Sequence, residues 1–175
     1  MPYTPIVATL GYVLSADRQH VLMIHRNARP DDPAWGKYNG LGGKMDVGED
    51  VAECMRRELR EEAGIEARHM QLRGVVSWPG FGKGGEDWLG FIFLITSWCG
   101  TPLARNHEGE LSWVPLQRLL DACHPDLEAR RRANLPLWPG DVHFVPLVFD
   151  ANPSVFYGVM PYRDGTPVGW SFTRF

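Results

Sequence analysis

Glu58, Glu61 and Glu62 stand at i, i+3 and i+4, so on a helix their carboxylates project from one face. Like charges held that close are tolerated only when solvated or neutralised by something positive. An oxygen-seeking divalent cation, which binds through a few carboxylates plus the phosphates of a ligand, supplies that charge, and Mg²⁺ is the natural candidate. The chemistry this suggests is phosphoryl or nucleotidyl transfer, where positioning and charge neutralisation matter more than covalent help from the protein.

The carboxylates need a helix and something to hold it. Val51, Met55 and Leu59 recur at i, i+4, i+8 as a buried stripe, and Asp46, Glu49 and Asp50 bring negative charge and capping oxygens to the helix N-terminus. Gly64 ends the helix, and Gly40, Gly42 and Gly43 around Leu41 make a glycine-rich loop that feeds it. Upstream, residues 6–14 and 21–24 read as strands joined by the turn Ser15-Ala-Asp-Arg, followed by a mobile, proline-rich surface loop over residues 27–37. Downstream, residues 74–78 and 88–96 read as strands around the glycine-rich segment 79–87, for which a ligand-access loop and a plain connector fit equally.

Pro115 at a first helical position opens a short helix, which residues 126–134 continue with a solvated basic run. Residues 155–160 and 168–175 flank Arg163-Asp-Gly-Thr, and Asp-Gly between apolar alternations signals a hairpin. Strands around interleaved helices without a regular βαβ repeat indicate a single α+β or layered α/β/α domain over residues 1–175. A formal charge of −3 gives no field for gripping a nucleic acid polymer, so a small phosphorylated ligand suits the chain better. Cys54, Cys99 and Cys123 have neither C-x-x-C spacing nor a histidine at zinc-site spacing, and read as structural or incidental thiols. With no secretory leader pattern and no membrane-length apolar run, the protein is expected to be soluble and cytoplasmic.

From Gly43 to Ile65 the chain reads G-x5-E-x7-R-E-U-x-E-E-x-G-U, with Glu49, Arg57, Glu58, Leu59, Glu61, Glu62 and Gly64 at the fixed positions. This resembles the Nudix box, complete at every defined position. The resemblance implies an α/β/α sandwich with a mixed central sheet, a Mg²⁺ or Mn²⁺ cofactor, and hydrolysis of a nucleoside diphosphate linked to another group. It implies Glu58, Glu61 and Glu62 as metal ligands and Glu49 with Arg57 as a scaffold between loop and helix. Glu61 is the first candidate general base. Glu108, in Asn106-His-Glu-Gly-Glu-Leu-Ser-Trp, resembles a later-loop glutamate that reaches the metal cluster and is the second, preferred over Glu110 by its spacing to Trp113. Arg26 resembles a family position whose basic side chain meets phosphate, although an exposed surface arginine fits nearly as well.

Lys37-Tyr-Asn-Gly-Leu-Gly-Gly-Lys and Leu137-Trp-Pro-Gly-Asp-Val-His-Phe resemble segments of the MutT-like oxidised purine nucleoside triphosphatases. That resemblance places Gly42, Gly43 and Lys44 beside the substrate, Asn39 in a hydrogen bond to the base, Trp138 in a stack on it and Asp141 at its edge. Apolar packing is the alternative for Trp138, a helix cap for Asp141. The implied activity converts a nucleotide such as 8-oxo-dGTP to monophosphate and pyrophosphate. Alternatives are another nucleoside diphosphate derivative (sugar nucleotide, dinucleotide or ordinary triphosphate) and a non-catalytic nucleotide sensor. The subfamily pattern has two adjacent aspartates after Trp-Pro, whereas this chain has Gly140-Asp141. The resemblance also places a helix over residues 142–149, against their β-branched composition and Pro146; a short or bent helix is expected.

Overall fold

Side chains of β1 (Ile6–Leu14) and β2 (His20–His25) alternate between two faces: Tyr12, Leu14, Val21 and Met23 enter one apolar cluster, Val13, Leu22 and Ile24 another. β5 (Trp88–Gly100) divides likewise, with Ile92 and Leu94 opposed to Phe93 and Ile95. A sheet that is apolar on both faces needs a covering layer on each. Helix α1 (Val51–Ala63) covers one face with Met55, Leu59 and Ala63. The other is covered by α2 (Leu116–Ala122), through Leu119 and Ala122, and by α4 (Asp141–Phe149), through Phe144, Val145 and Val148. The computed structural model, which describes residues 1–175, is thus α+β with an α/β/α layering. No helix is long and apolar enough to cross a membrane.

The remaining elements are β3 (Tyr38–Asn39), β4 (Ile65–Trp78), β6 (Glu110–Pro115), α3 (Leu127–Ala133), β7 (Phe156–Val159), β8 (Tyr162–Arg163), β9 (Thr166–Pro167) and β10 (Ser171–Arg174). The main sheet runs β10-β7-β4-β5-β1-β2-β3, with β6 also on β2. It is mixed, because β1 is parallel to β5 and β4 is parallel to β7 while the other pairs are antiparallel.

One irregularity in this sheet positions the site. β1 and β2 share only two residue couples, Val13 with Leu22 and Leu14 with Val21, and then part. The glycine-rich segment runs alongside β1: Leu41 and Gly11 exchange N–H···O bonds of 2.9 and 2.6 Å, Thr9 N–H donates to the Gly43 carbonyl at 2.9 Å, and Met45 N–H donates to Val7 at 2.9 Å. Gly42 has φ 146°, and a Cβ there would run into the Thr9 carbonyl, so only glycine fits. The loop that delivers α1 is therefore fixed by backbone pairing. Asp50 then caps α1, accepting from the N–H groups of Ala52 and Glu53, while the Glu53 carboxylate accepts from Asp50 N–H. Gly64, with φ 68°, closes it.

Elsewhere the local expectations need adjustment. Pro115 precedes the first helical residue instead of occupying it, and residues 127–133 form a separate helix because the Asp126 side chain accepts from Glu128 N–H and restarts it. The 27–37 segment is irregular but tied down, with Arg26 N–H donating to Lys37 O and Gly36 N–H to Arg26 O. The Asp164-Gly165 turn, with φ 50° and 74°, joins only the short β8 and β9, and the terminal strand starts at Ser171. Helix α4 forms despite Pro146 because tertiary contacts hold its C-terminal end. Buried Arg73 donates to the carbonyls of Val148 (2.8 Å), Asp150 (3.0 Å) and Asn152 (2.8 Å), and Arg174 donates to that of Leu147 (3.0 Å). Those bonds satisfy carbonyls that a helix end leaves orphaned, and they outweigh weak propensity.

Candidate active site

A cleft of about 920 Å³ is lined by the charged and glycine residues Arg26, Gly42, Gly43, Lys44, Glu62 and Glu108, by the aromatics Phe81, Trp138 and Tyr162, and by Asn39 and Asp141. Arg57 organises the acidic helix beside it. Its guanidinium donates to Glu49 at 2.7 and 3.0 Å, to Glu58 at 2.7 Å, to Glu61 at 3.2 Å and to the Lys44 carbonyl at 3.0 Å. These bonds tie loop to helix, and with the Asp46 N–H they hold the Glu49 carboxyl down at about 2.

Glu62 is buried and accepts from Gly42 N–H at 2.7 Å. Burial, with Glu108 and Glu58 adding like charge, pushes its carboxyl up to about 8. Glu58 is also shifted upward by desolvation. Glu108 rests on Arg26 at 2.5 Å and faces Arg29 at 3.6 Å, while Arg26 in turn is held by Asp32 at 2.7 Å. Asn106 brings the Glu108 loop to the helix, donating to the Glu62 carbonyl at 3.0 Å and accepting from Glu108 N–H at 2.8 Å. Glu110 points elsewhere, exposed and bonded to Asn27.

As these side chains stand, no three of them converge as ligands, because Arg57 draws Glu58 and Glu61 aside and Arg26 draws Glu108. The donor set nevertheless fits a hard divalent cation: every candidate is a carboxylate, and Glu62 is desolvated beside two more, with Arg26 acting on it only at a distance. A carboxyl raised to about 8 from its ordinary 4.5 favours the folded state at low pH, and that contribution is lost as pH rises through this window. Glu62→Gln keeps an acceptor for Gly42 N–H and deletes the charge. Its melting temperature without metal should therefore exceed that of the parent at pH 8, and the rise produced by Mg²⁺ or Mn²⁺ should shrink. Scanning calorimetry between pH 5 and 8.5, with and without the metal, checks both; an undiminished metal-induced rise removes Glu62 from the ligand set.

On the same cleft wall, the side-chain oxygen of Asn39 is buried without a hydrogen-bond partner. Asp141 opens α4, half-buried, and burial pushes its carboxyl up to about 7. Trp138 meets the ring of Phe81 at 5.7 Å and 63°, with the Lys37 ammonium 4.8 Å from its own centroid. Phe81 further contacts Trp78, Trp88 and Tyr162 at 5.9, 5.7 and 5.0 Å. Sequence reasoning missed Phe81, Tyr162 and Asn106. Phe81 is the one aromatic in a glycine-rich loop, a signal that could have been weighted; Asn106 and Tyr162 had no short-range signal beyond lying next to a marked loop and a marked turn.

The NUDIX domain family matches residues 4–137. The chain is 31% identical over 134 residues to YvcI of Bacillus subtilis, an uncharacterized Nudix hydrolase, covering 74% of this chain and 75% of that one. Over 129 residues it is 28% identical to the oxidized purine nucleoside triphosphate hydrolase of Mus musculus, covering 74% and 72%. The crystal structure of a MutT protein from Bacillus halodurans superposes with a TM-score of 0.74 at 26% identity, over 95% of this chain and 97% of that one. Asn39 and Phe81 lie within the family match, whereas Trp138, Asp141 and Tyr162 lie beyond it. With the match running over most of its length, this chain belongs to the Nudix family and is a pyrophosphohydrolase.

Proposed function

We propose that the enzyme hydrolyses oxidised purine (deoxy)nucleoside triphosphates such as 8-oxo-dGTP to monophosphate and pyrophosphate, as a cytoplasmic, Mg²⁺- or Mn²⁺-dependent activity on small nucleotides. The observation that carries this is the single cleft that brings acidic and aromatic side chains together with Asn39, whose side-chain oxygen is buried without a partner, and Asp141, whose carboxyl is raised by burial. The relation to the mouse hydrolase supports it.

Glu58, Glu61, Glu62 and Glu108 would hold the cation, which when present neutralises phosphate charge and eases deprotonation of water. Gly42, Gly43 and Lys44 seat the phosphates against a loop whose backbone is already fixed by β1. Glu61 takes the proton of the attacking water. Of its two oxygens only one is engaged, by Arg57, whereas both oxygens of Glu108 face arginines. Arg26 acts by holding Glu108 and by adding positive charge beside the phosphates. Trp138 stacks on the base, a contact worth roughly 1–3 kcal/mol. Asp141 accepts from N7–H, a donor that purines gain only on oxidation at C8.

Gly140, standing where a second aspartate was expected, motivates the rival that the same chemistry serves another nucleoside diphosphate derivative. Steady-state kcat/KM with Mg²⁺ on 8-oxo-dGTP, dGTP, ADP-ribose and a dinucleoside polyphosphate separates the readings. The oxidised triphosphate should rank first; preference for ADP-ribose removes the sanitising role, and hydrolysis of none assigns the chemistry to another nucleoside diphosphate derivative.

A further inference from the structure

Gly140 has φ −76° and ψ −22°, a conformation open to any residue, so the backbone does not require glycine there. Space does: a Cβ at this position would overlap the Tyr162 hydroxyl and the Met160 sulfur. Where a second carboxylate was expected, the cleft wall is therefore built by Tyr162, which arrives from a distant hairpin. That hairpin is anchored by Tyr162 N–H donating to the Pro79 carbonyl at 2.7 Å, and the ring packs edge-on against Phe81 at 5.0 Å. The hydroxyl lies on the same cleft as Asp141 and within its electrostatic reach. Burial and that neighbouring carboxylate push the phenol well above its ordinary pKa, so it stays a neutral donor.

We propose that Tyr162 is a specificity-determining residue: its hydroxyl donates to a carbonyl of the base while Asp141 beside it accepts from the adjacent ring N–H. This rests on the oxidised-purine reading and sharpens it. Two ionised carboxylates offer acceptors only, whereas a hydroxyl next to a carboxylate offers a donor beside an acceptor. Its complement is a lactam edge, N–H beside C=O. Purines present that edge in two places: N7–H with C8=O after oxidation at C8, and N1–H with C6=O in any guanine. Adenine that is not oxidised has neither. A buried polar group left unmatched by the wrong edge is what makes such a site discriminate.

The test is kcat/KM of the parent and of Tyr162→Phe on 8-oxo-dGTP, 8-oxo-dATP, dGTP and dATP, with Gly140→Ala as a second way to displace the hydroxyl and melting temperatures as the folding control. Loss of one neutral hydrogen bond to the base should lower kcat/KM for 8-oxo-dGTP about tenfold, mainly through KM, and change dATP by no more than about twofold. A loss shared by 8-oxo-dATP assigns the oxidised edge, and one shared by dGTP assigns the N1 edge. Equal loss on all four substrates, or none on 8-oxo-dGTP, overturns the role of Tyr162. A parent enzyme without preference for oxidised purines overturns the underlying reading instead, and the dGTP and dATP arms still report on Tyr162.

Discussion

Replacing Glu61 with Gln lowers turnover of every substrate by roughly two to four orders of magnitude, the range a general base contributes. The fold should not notice, because the side chain is 60% exposed and its one contact is the 3.2 Å pair with Arg57. Exposed substitutions of this kind move stability by about 0.5 kcal/mol or less. Glu108→Gln makes the informative contrast. It breaks an ion pair with Arg26 that is itself part of a larger cluster with Asp32 and Arg29, so it should cost both rate and stability. Stopped-flow or steady-state kinetics with thermal melts on both variants checks this. If the Glu61 variant keeps near-normal rates, Glu61 is neither the base nor a ligand of the cation, and Glu108 is the remaining candidate for proton transfer.

Asp141→Asn collapses the choice between oxidised and normal purine. The carboxylate accepts from N7–H of 8-oxo-dGTP and repels the N7 lone pair of dGTP; the amide accepts weakly and also donates, so dGTP gains a partner. Hydrogen bonds to a charged group contribute about 1.5–3 kcal/mol, so the ratio of kcat/KM for 8-oxo-dGTP over dGTP should fall by roughly one to two orders of magnitude, with kcat on dGTP little changed. The position is suited to this task because Asp141 opens a helix held at its far end by Arg73 and Arg174. An equal loss on both substrates assigns Asp141 to the helix instead of to the base.

The acidic helix, its cap and its glycine stop were legible because each depends on residues within about two turns of one another. Glu49 with Arg57 was legible through the resemblance, which implied a scaffold between loop and helix, and the two are bonded. The apolar, β-branched composition of β1 and β2 marked them as strands. What could not be read was assembled over long separations. The wedge between β1 and β2 that seats residues 41–45, the Arg73 grip on α4 and the meeting of Tyr162 with Gly140 each join segments that no local pattern links. Pro146 and the β-branched residues around it argued locally against the short helix that the resemblance placed over residues 142–149, and the helix forms because propensity yields to tertiary satisfaction of the helix end. Gly140 read as half of a missing pair, whereas the structure puts a tyrosine hydroxyl in that space.

The most direct measurement of the central claim is the kcat/KM ratio of 8-oxo-dGTP to dGTP with Mg²⁺, read together with the products. A cleft lined by Asp141, Tyr162 and Asn39 should favour the oxidised nucleotide by about tenfold or more, releasing 8-oxo-dGMP and pyrophosphate. Equal rates on the two nucleotides, or release of inorganic phosphate in place of pyrophosphate, would contradict it.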